Sequence, residues 1–208
     1  MLNKTFLLLF CSLSVFQASA QWHLGVQAGG NLNYIQAKNL PSKVTANRKS
    51  TVYLFSGGHV EYQFASKWSV GLDAQVAVRG YNNDVPENSE VTKATRLKYV
   101  DLVPKVSFRV MDNLDLQLGA YYSFLFEEKF KVGSSDKWIS PIIDIYSKTD
   151  AGIVPGIRYQ FCRLSIMANA QIGLKNIFPA EFADENGQRI EVSNFNRSFQ
   201  LGIGYRIF

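Results

Sequence analysis

The sequence predicts an all-β fold: an eight-stranded antiparallel up-and-down transmembrane β-barrel with short periplasmic turns and long external loops. Three observations predict it. From Gln21 onward, apolar residues recur with a period of two through eight segments, the spacing of side chains on opposite faces of a strand. The connections between segments alternate long and short, as they do where one end of a barrel faces the periplasm and the other the exterior. The chain also opens on an export-type leader.

In that leader Lys4 precedes the apolar run Phe6 to Phe16, and Ala18-Ser19-Ala20 ends on a small-x-small pattern before Gln21. Charge, apolar stretch and cleavage site fall in the order of a secretory signal. Such a run spans only about 16 Å as helix, against roughly 30 Å of hydrocarbon. A membrane anchor is therefore a poor reading, and residues 1–20 are expected to be a cleaved signal peptide before a barrel domain at 21–208. Cys11 lies within the run after bulky Phe10, and Gln21 follows the cleavage site, which argues against lipid attachment. Cleavage leaves Cys162 as the one cysteine and no intramolecular disulfide.

The first segment sets Trp22, Leu24, Val26, Leu32 and Tyr34 against His23, Gln27, Asn31 and Asn33. The second sets Leu54, Val60, Tyr62 and Phe64 against His59, Glu61 and Gln63. In the third, Trp68, Val70, Leu72, Val76 and Val78 alternate with Ser69, Asp73, Gln75 and Arg79. The fourth opposes Val100, Leu102, Pro104, Val106, Phe108 and Val110 to Asp101, Val103, Lys105, Ser107 and Arg109. The fifth opposes Leu114, Leu116, Leu118, Tyr122, Phe124 and Phe126 to Asp115, Gln117, Tyr121, Ser123 and Glu127. The sixth has Ile153, Pro155, Ile157, Tyr159 and Phe161 against Asp150, Arg158 and Gln160. The seventh has Leu164, Ile166, Ile172 and Leu174 against Arg163, Ser165, Asn169 and Gln171. The last has Phe199, Leu201, Ile203, Tyr205 and Ile207 against Ser198, Gln200 and Arg206.

Short joints lie at Ala65-Ser66-Lys67, at Met111-Asp112-Asn113 and near Cys162; long polar connections cover roughly 36–51, 81–96, 128–148 and 175–194. An even strand number returns both termini to the short-turn side. Pro104 and Pro155 cannot donate a ladder hydrogen bond, so each marks a bulge or a local break. A soluble ligand-binding barrel would turn the apolar face inward. Aromatic residues near segment ends, such as Trp22, Trp68, Tyr122 and Tyr205, instead suit the interfacial girdles of a membrane barrel.

On that reading Glu61, Asp73, Arg79, Asp101, Lys105, Arg109, Asp115, Glu127, Arg158, Arg163 and Arg206 face the lumen. Eight strands enclose an interior only wide enough for side chains to fill, and an unpaired charge there is costly. The expectation is a packed polar core, with glycines leaving room for long Arg and Lys chains; a narrow passive channel is the alternative.

The remaining signals are weak. Formal net charge is +5 over 208 residues, with the basic residues dispersed, so nucleic acid is not an expected partner. His23 and His59 could approach each other, but two histidines without further ligands do not make a zinc site. Glu87 and Glu90 lie in a loop without a cleft, and no serine can be tied to a histidine and an acid. No enzyme, cofactor or metal is expected. Loop residues offer more. Trp138, Ile142, Ile143 and Tyr146 in the third long connection, and Phe178 and Phe182 in the fourth, are more apolar than exposed loops require. They could continue a strand, cover the mouth or meet another envelope protein.

The stretches GVQAGGNLNY, YVDLVPKVSFRV, GIVPGIRYQF and LGIGYRIF, with the ASA-Q leader end, resemble the small PorT-like outer-membrane barrels of Bacteroidetes along essentially the whole mature chain. The resemblance implies an eight-stranded outer-membrane barrel. One member type serves a specialised secretion pathway, which no residue pattern here carries over. The last strand resembles the insertion signal of such proteins, with Phe208 one position out of phase. The expectation is a monomeric barrel in outer-membrane lipid, structural or supporting a partner complex through its loops.

Overall fold

A computed structural model describes residues 21–39, 48–83, 92–133, 137–178, 180–183 and 189–208. The expected signal peptide with Cys11 and the loop acids Glu87 and Glu90 lie outside them. The strands are β1 (Trp22–Lys38), β2 (Arg48–Lys49), β3 (Thr51–Gln63), β4 (Trp68–Asn83), β5 (Thr92–Met111), β6 (Leu114–Val132), β7 (Thr149–Phe161), β8 (Leu164–Gly173), β9 (Ala180–Ala183) and β10 (Arg189–Arg206). Eight of them run β1-β3-β4-β5-β6-β7-β8-β10, each antiparallel to its neighbours. The ring closes where β10 returns to β1, from Gly25 opposite Arg206 to Lys38 opposite Ser193. β2 extends the line of β3 against β4, and β9 pairs with the first residues of β10.

The faces are inverted relative to a soluble protein. Val26, Leu72, Val76, Leu118 and Ile203 are exposed, whereas Asn31, Gln75, Asp101 and Gln200 are buried. Every strand that carries the period of two turns its apolar side out, which is the arrangement lipid selects. A soluble barrel with a greasy cavity would have the reverse. Aromatic pairs mark both ends of the apolar band: Trp22–Tyr62 and Trp68–Phe108 at the short-turn end, with centroids 4.9 and 4.7 Å apart, and Tyr122–Phe124 at the other, 5.0 Å apart.

Three of the long connections are shorter than their polarity suggests. β4 continues to Asn83, β5 starts at Thr92, β6 reaches Val132 and β10 starts at Arg189. These extensions rise above the apolar band, where water contacts the outer face, so nothing there enforces alternation. The prolines break the ladder without shifting it. Pro104 stays opposite Leu72, and β5–β6 pairing lapses between Leu102 and Lys105 but resumes in the same register. Pro155 stays opposite Leu118, with the matching lapse between Ile153 and Gly156 on the β8 side. At the C-terminus the Ile207 amide donates to the Leu24 carbonyl at 2.7 Å, and the Leu24 amide donates to the Phe208 carbonyl at 3.1 Å. Phe208 therefore continues the closure ladder. Cys162 is exposed in the β7–β8 turn at φ 53°.

Candidate functional site: a packed polar lumen under a capped mouth

Because inward positions recur every second residue on eight strands, side chains distant in sequence meet in layers across the lumen. Nearest the short-turn end, Arg158 from β7 forms a fork on Glu61 of β3, with N–O distances of 2.6 and 2.9 Å. Its Nη2 and Nε also donate to Asp115 at 2.8 and 3.2 Å. Ser69 donates to Glu61 at 2.8 Å, and Arg109 to Asp115 at 3.3 Å. One layer further, Lys105 holds Asp73 at 2.8 Å. At mid-barrel Arg79 donates to Asp101 at 2.6 Å, to Gln171 at 3.0 Å and to Ser123 at 3.1 Å. Its guanidinium lies 4.7 Å from the Tyr99 ring centroid and 5.2 Å from that of Tyr121. Tyr121 and Asn196 in turn donate to Asp150, at 3.0 and 2.8 Å. Paired and bonded charges of this kind are the form in which ions tolerate burial.

Above Arg79 the lumen changes character. Ile35, Tyr81, Leu97, Tyr99, Leu125, Phe130, Tyr146 and Ile177 form one buried apolar cluster, with Phe178 packed against it. Tyr146 comes from the β6–β7 connection, and its hydroxyl meets that of Tyr81 at 2.8 Å. The strap is pinned by backbone bonds, Ser147 to the Ile177 carbonyl at 2.8 Å and Ile177 to the Asn194 carbonyl at 2.9 Å. Beside it lies the buried carboxylate of Glu128, whose pKa is pushed up by burial. Two interior voids among the described residues are small. One of about 10 Å³ lies among Asp73, Lys105, Gln117 and Gln200, and one of about 20 Å³ at the short-turn end among His23, His59, Glu61, Arg158, Arg163 and Arg206. Each is about the size that holds a single water.

Of the expected lumen residues, Glu61, Asp73, Arg79, Asp101, Asp115 and Arg158 are buried inside and joined as described, and the Lys105 side chain is covered with them; Arg109 is only partly covered, and Arg163, expected in the lumen, is instead exposed in the β7–β8 turn, beyond the last inward position of β8. Arg206 lies at the short-turn rim, its guanidinium 3.5 Å from the Cys162 carbonyl. Glu127 is a correction: it is on the outer face. The β5–β6 register shifts between Lys98–Glu127 and Tyr99–Leu125, so an extra residue on β6 reverses the phase. Glu127 then pairs outside with Lys98 at 2.9 Å, and Lys98 and Lys129 hold its carboxyl below the usual range. Glu128 takes the inward place. A second correction concerns Tyr146, expected on an interaction surface but 6% exposed in the mouth, and Phe178, half-buried against it at 5.5 Å. Ile142 and Ile143 are fully open to solvent, and Trp138 is half-buried. Phe182 is described only as a backbone partner of Ile190.

Asp150, Gln171, Ser123 and Tyr99 complete the central layer without having been singled out. Alternation had already set the first three on the polar faces, and Tyr99 shares the parity of Asp101 two residues on. Two of the glycines serve differently from expectation. A Cβ on Gly29 or Gly202 would come within 2.7 Å of the Phe55 ring, so these two positions admit an aromatic side chain rather than an arginine.

A closed antiparallel ring, apolar outside and packed with paired charge inside, defines a membrane-spanning β-barrel. The chain belongs to the family described as outer membrane protein beta-barrel domain, which matches residues 16–179. It is similar in fold to Neisserial surface protein A at 14% identity, with 88% of this chain and 96% of that one covered and a TM-score of 0.51. It is likewise similar to the outer membrane protein OprG from Pseudomonas aeruginosa at 14% identity, covering 90% and 96% with a TM-score of 0.50. No curated protein matches the chain.

Proposed function

We propose that the protein is a non-conducting, non-enzymatic monomeric barrel that works at the outer membrane as a structural element and displays its external loops to a partner in the envelope. The observation that carries this reading is the lumen itself: the Arg79 layer and the aromatic cap fill its cross-section with side chains. The exposed Ile142 and Ile143 on the strap that closes the mouth supply an apolar contact outside the barrel. The strand motifs that resemble PorT-like barrels of Bacteroidetes support placing it in that group, and the leader supports export with cleavage after Ala20.

Two measurements test the reading, one on the purified barrel and one in native membranes. In planar bilayers it is expected to give no steady channel events; stepwise conductance would replace it with the passive-channel alternative. A photo-crosslinking residue at Ile142 or Ile143, activated in native outer membranes, is expected to capture one defined envelope protein, and a trace no different from a residue at Ile203 would remove the partner role.

A further inference from the structure

The bulge at Glu127 places an uncommon group of side chains on the outer wall. Beyond the last outward apolar residues, Val100 and Phe126, the outer surface of β5 and β6 carries Arg96, Lys98, Glu127, Lys129 and Lys131. Three cations surround one carboxylate: Lys98 at 2.9 Å, Lys129 at 3.4 Å and Arg96 at 3.7 Å converge on Glu127. Trp138 folds onto the same face, with the Arg96 guanidinium 4.5 Å and the Lys131 ammonium 5.2 Å from its ring. The strap carrying it is fixed by reciprocal bonds between Phe130 and Ile139, both 2.9 Å.

Height gives this surface its meaning. The outward residues from Val110 to Val100 are apolar or aromatic; ten steps of roughly 3.4 Å, tilted about 40°, climb about 26 Å, the thickness of a barrel's hydrocarbon band. Lys98 and Arg96 follow immediately, at headgroup level. This is the long-connection end, which faces outward in barrels of this type. Lysine and arginine together, with a tryptophan at the interface, match an anionic headgroup that can accept several charge-assisted hydrogen bonds. A carboxylate ligand would gain little beside Glu127. A phosphate, with three acceptor oxygens and more charge, would bridge the Arg96, Lys98 and Lys129 heads that converge on Glu127.

We propose that Arg96, Lys98, Lys129, Lys131 and Trp138 form a binding site for the phosphate of an outer-leaflet glycolipid whose acyl chains lie against Val100, Leu102, Phe124 and Phe126. The site rests on the membrane-barrel reading. The test uses the full mature barrel in detergent, with a phosphorylated glucosamine lipid, the same lipid without phosphate, and inorganic phosphate, retained complexes being counted by native mass spectrometry. At least a tenfold preference for the phosphorylated lipid is expected. That preference should be lost in Arg96→Gln/Lys98→Gln/Lys129→Gln/Lys131→Gln and kept in Lys67→Gln/Arg163→Gln, which removes charge at the opposite end. Equal retention of the two lipids, or an unchanged preference in the quadruple variant, overturns the site. Displacement by inorganic phosphate at the lipid's own concentration overturns the lipid as its source. Heat-dependent gel migration reports separately whether each variant is a folded barrel. If the quadruple variant does not fold, Lys129→Gln/Lys131→Gln decides by the same preference.

Discussion

Arg79, only 1% exposed, holds Asp101 directly and lies 3.7 Å from Asp150, so three ionisable groups from β4, β5 and β7 stabilise one another where water cannot. Removing the cation alone strands two carboxylates. Arg79→Met is expected to cost about 3–5 kcal/mol, the usual penalty for breaking a buried pair, read as a lower urea midpoint of the lipid-inserted barrel. A loss under 1 kcal/mol would mean that the acids find other partners. Glu128 presents the opposite case. Its pKa is raised in the capped state, so capping favours the proton. The cap is therefore expected to be tighter at low pH and to loosen as pH rises from the ordinary value of 4.5 through the raised one. Hydrogen exchange at the Ser147 amide, corrected for intrinsic rate, should show this slope, and Glu128→Gln should abolish it. At this scale the sequence revealed which positions face inward through parity, and through it most of the lumen ions. It did not reveal who pairs with whom, because Arg158 reaches Glu61 across 97 residues and that distance is set by closure.

The β5–β6 pair shows where element-level reading from sequence stops. Alternation is legible only where lipid and lumen demand opposite polarity. Past Phe126 the outer face leaves the lipid while the inner face turns to the apolar cap around Phe130, so lipid and lumen no longer impose opposite polarity and the run Glu127-Glu128-Lys129 contains no mark of the inserted residue that reverses its faces. The same lack of contrast hides the strand extensions in apparent loops and hides Tyr146, an aromatic whose loop context does not distinguish cap from contact surface. The bulge makes a sharp prediction. In a Cys162→Ser background, Glu127→Cys should react from outside with a membrane-impermeant maleimide, while Glu128→Cys should react at least tenfold more slowly. Equal rates would place both residues on one surface. For the cap, Tyr146→Ala removes a ring packed on Phe130 and Phe178 and is expected to cost about 3–5 kcal/mol, again as a fall in the urea midpoint.

Over the whole molecule, hydrophobicity is turned outward and polarity inward on all eight staves, and that inversion underlies every functional reading. It makes the chain a membrane barrel, forces the lumen charges to pair, and leaves the extracellular rim and strap as the surfaces open to partners and lipid headgroups. The inversion was legible in the sequence as a period-two pattern of unusual length; closure followed from the alternation of long and short joints. A nitroxide scan along β4 from Ser69 to Val78, in lipid vesicles, tests the inversion most directly. Each label's exposure to oxygen, which concentrates in lipid, is compared with its exposure to a water-soluble nickel complex. Oxygen accessibility is predicted to peak at Val70, Leu72, Ala74, Val76 and Val78 and to fall at Ser69, Asp73, Gln75 and Ala77. Peaks at the second set, or a flat profile with strong nickel access throughout, would contradict the account and turn the apolar face inward.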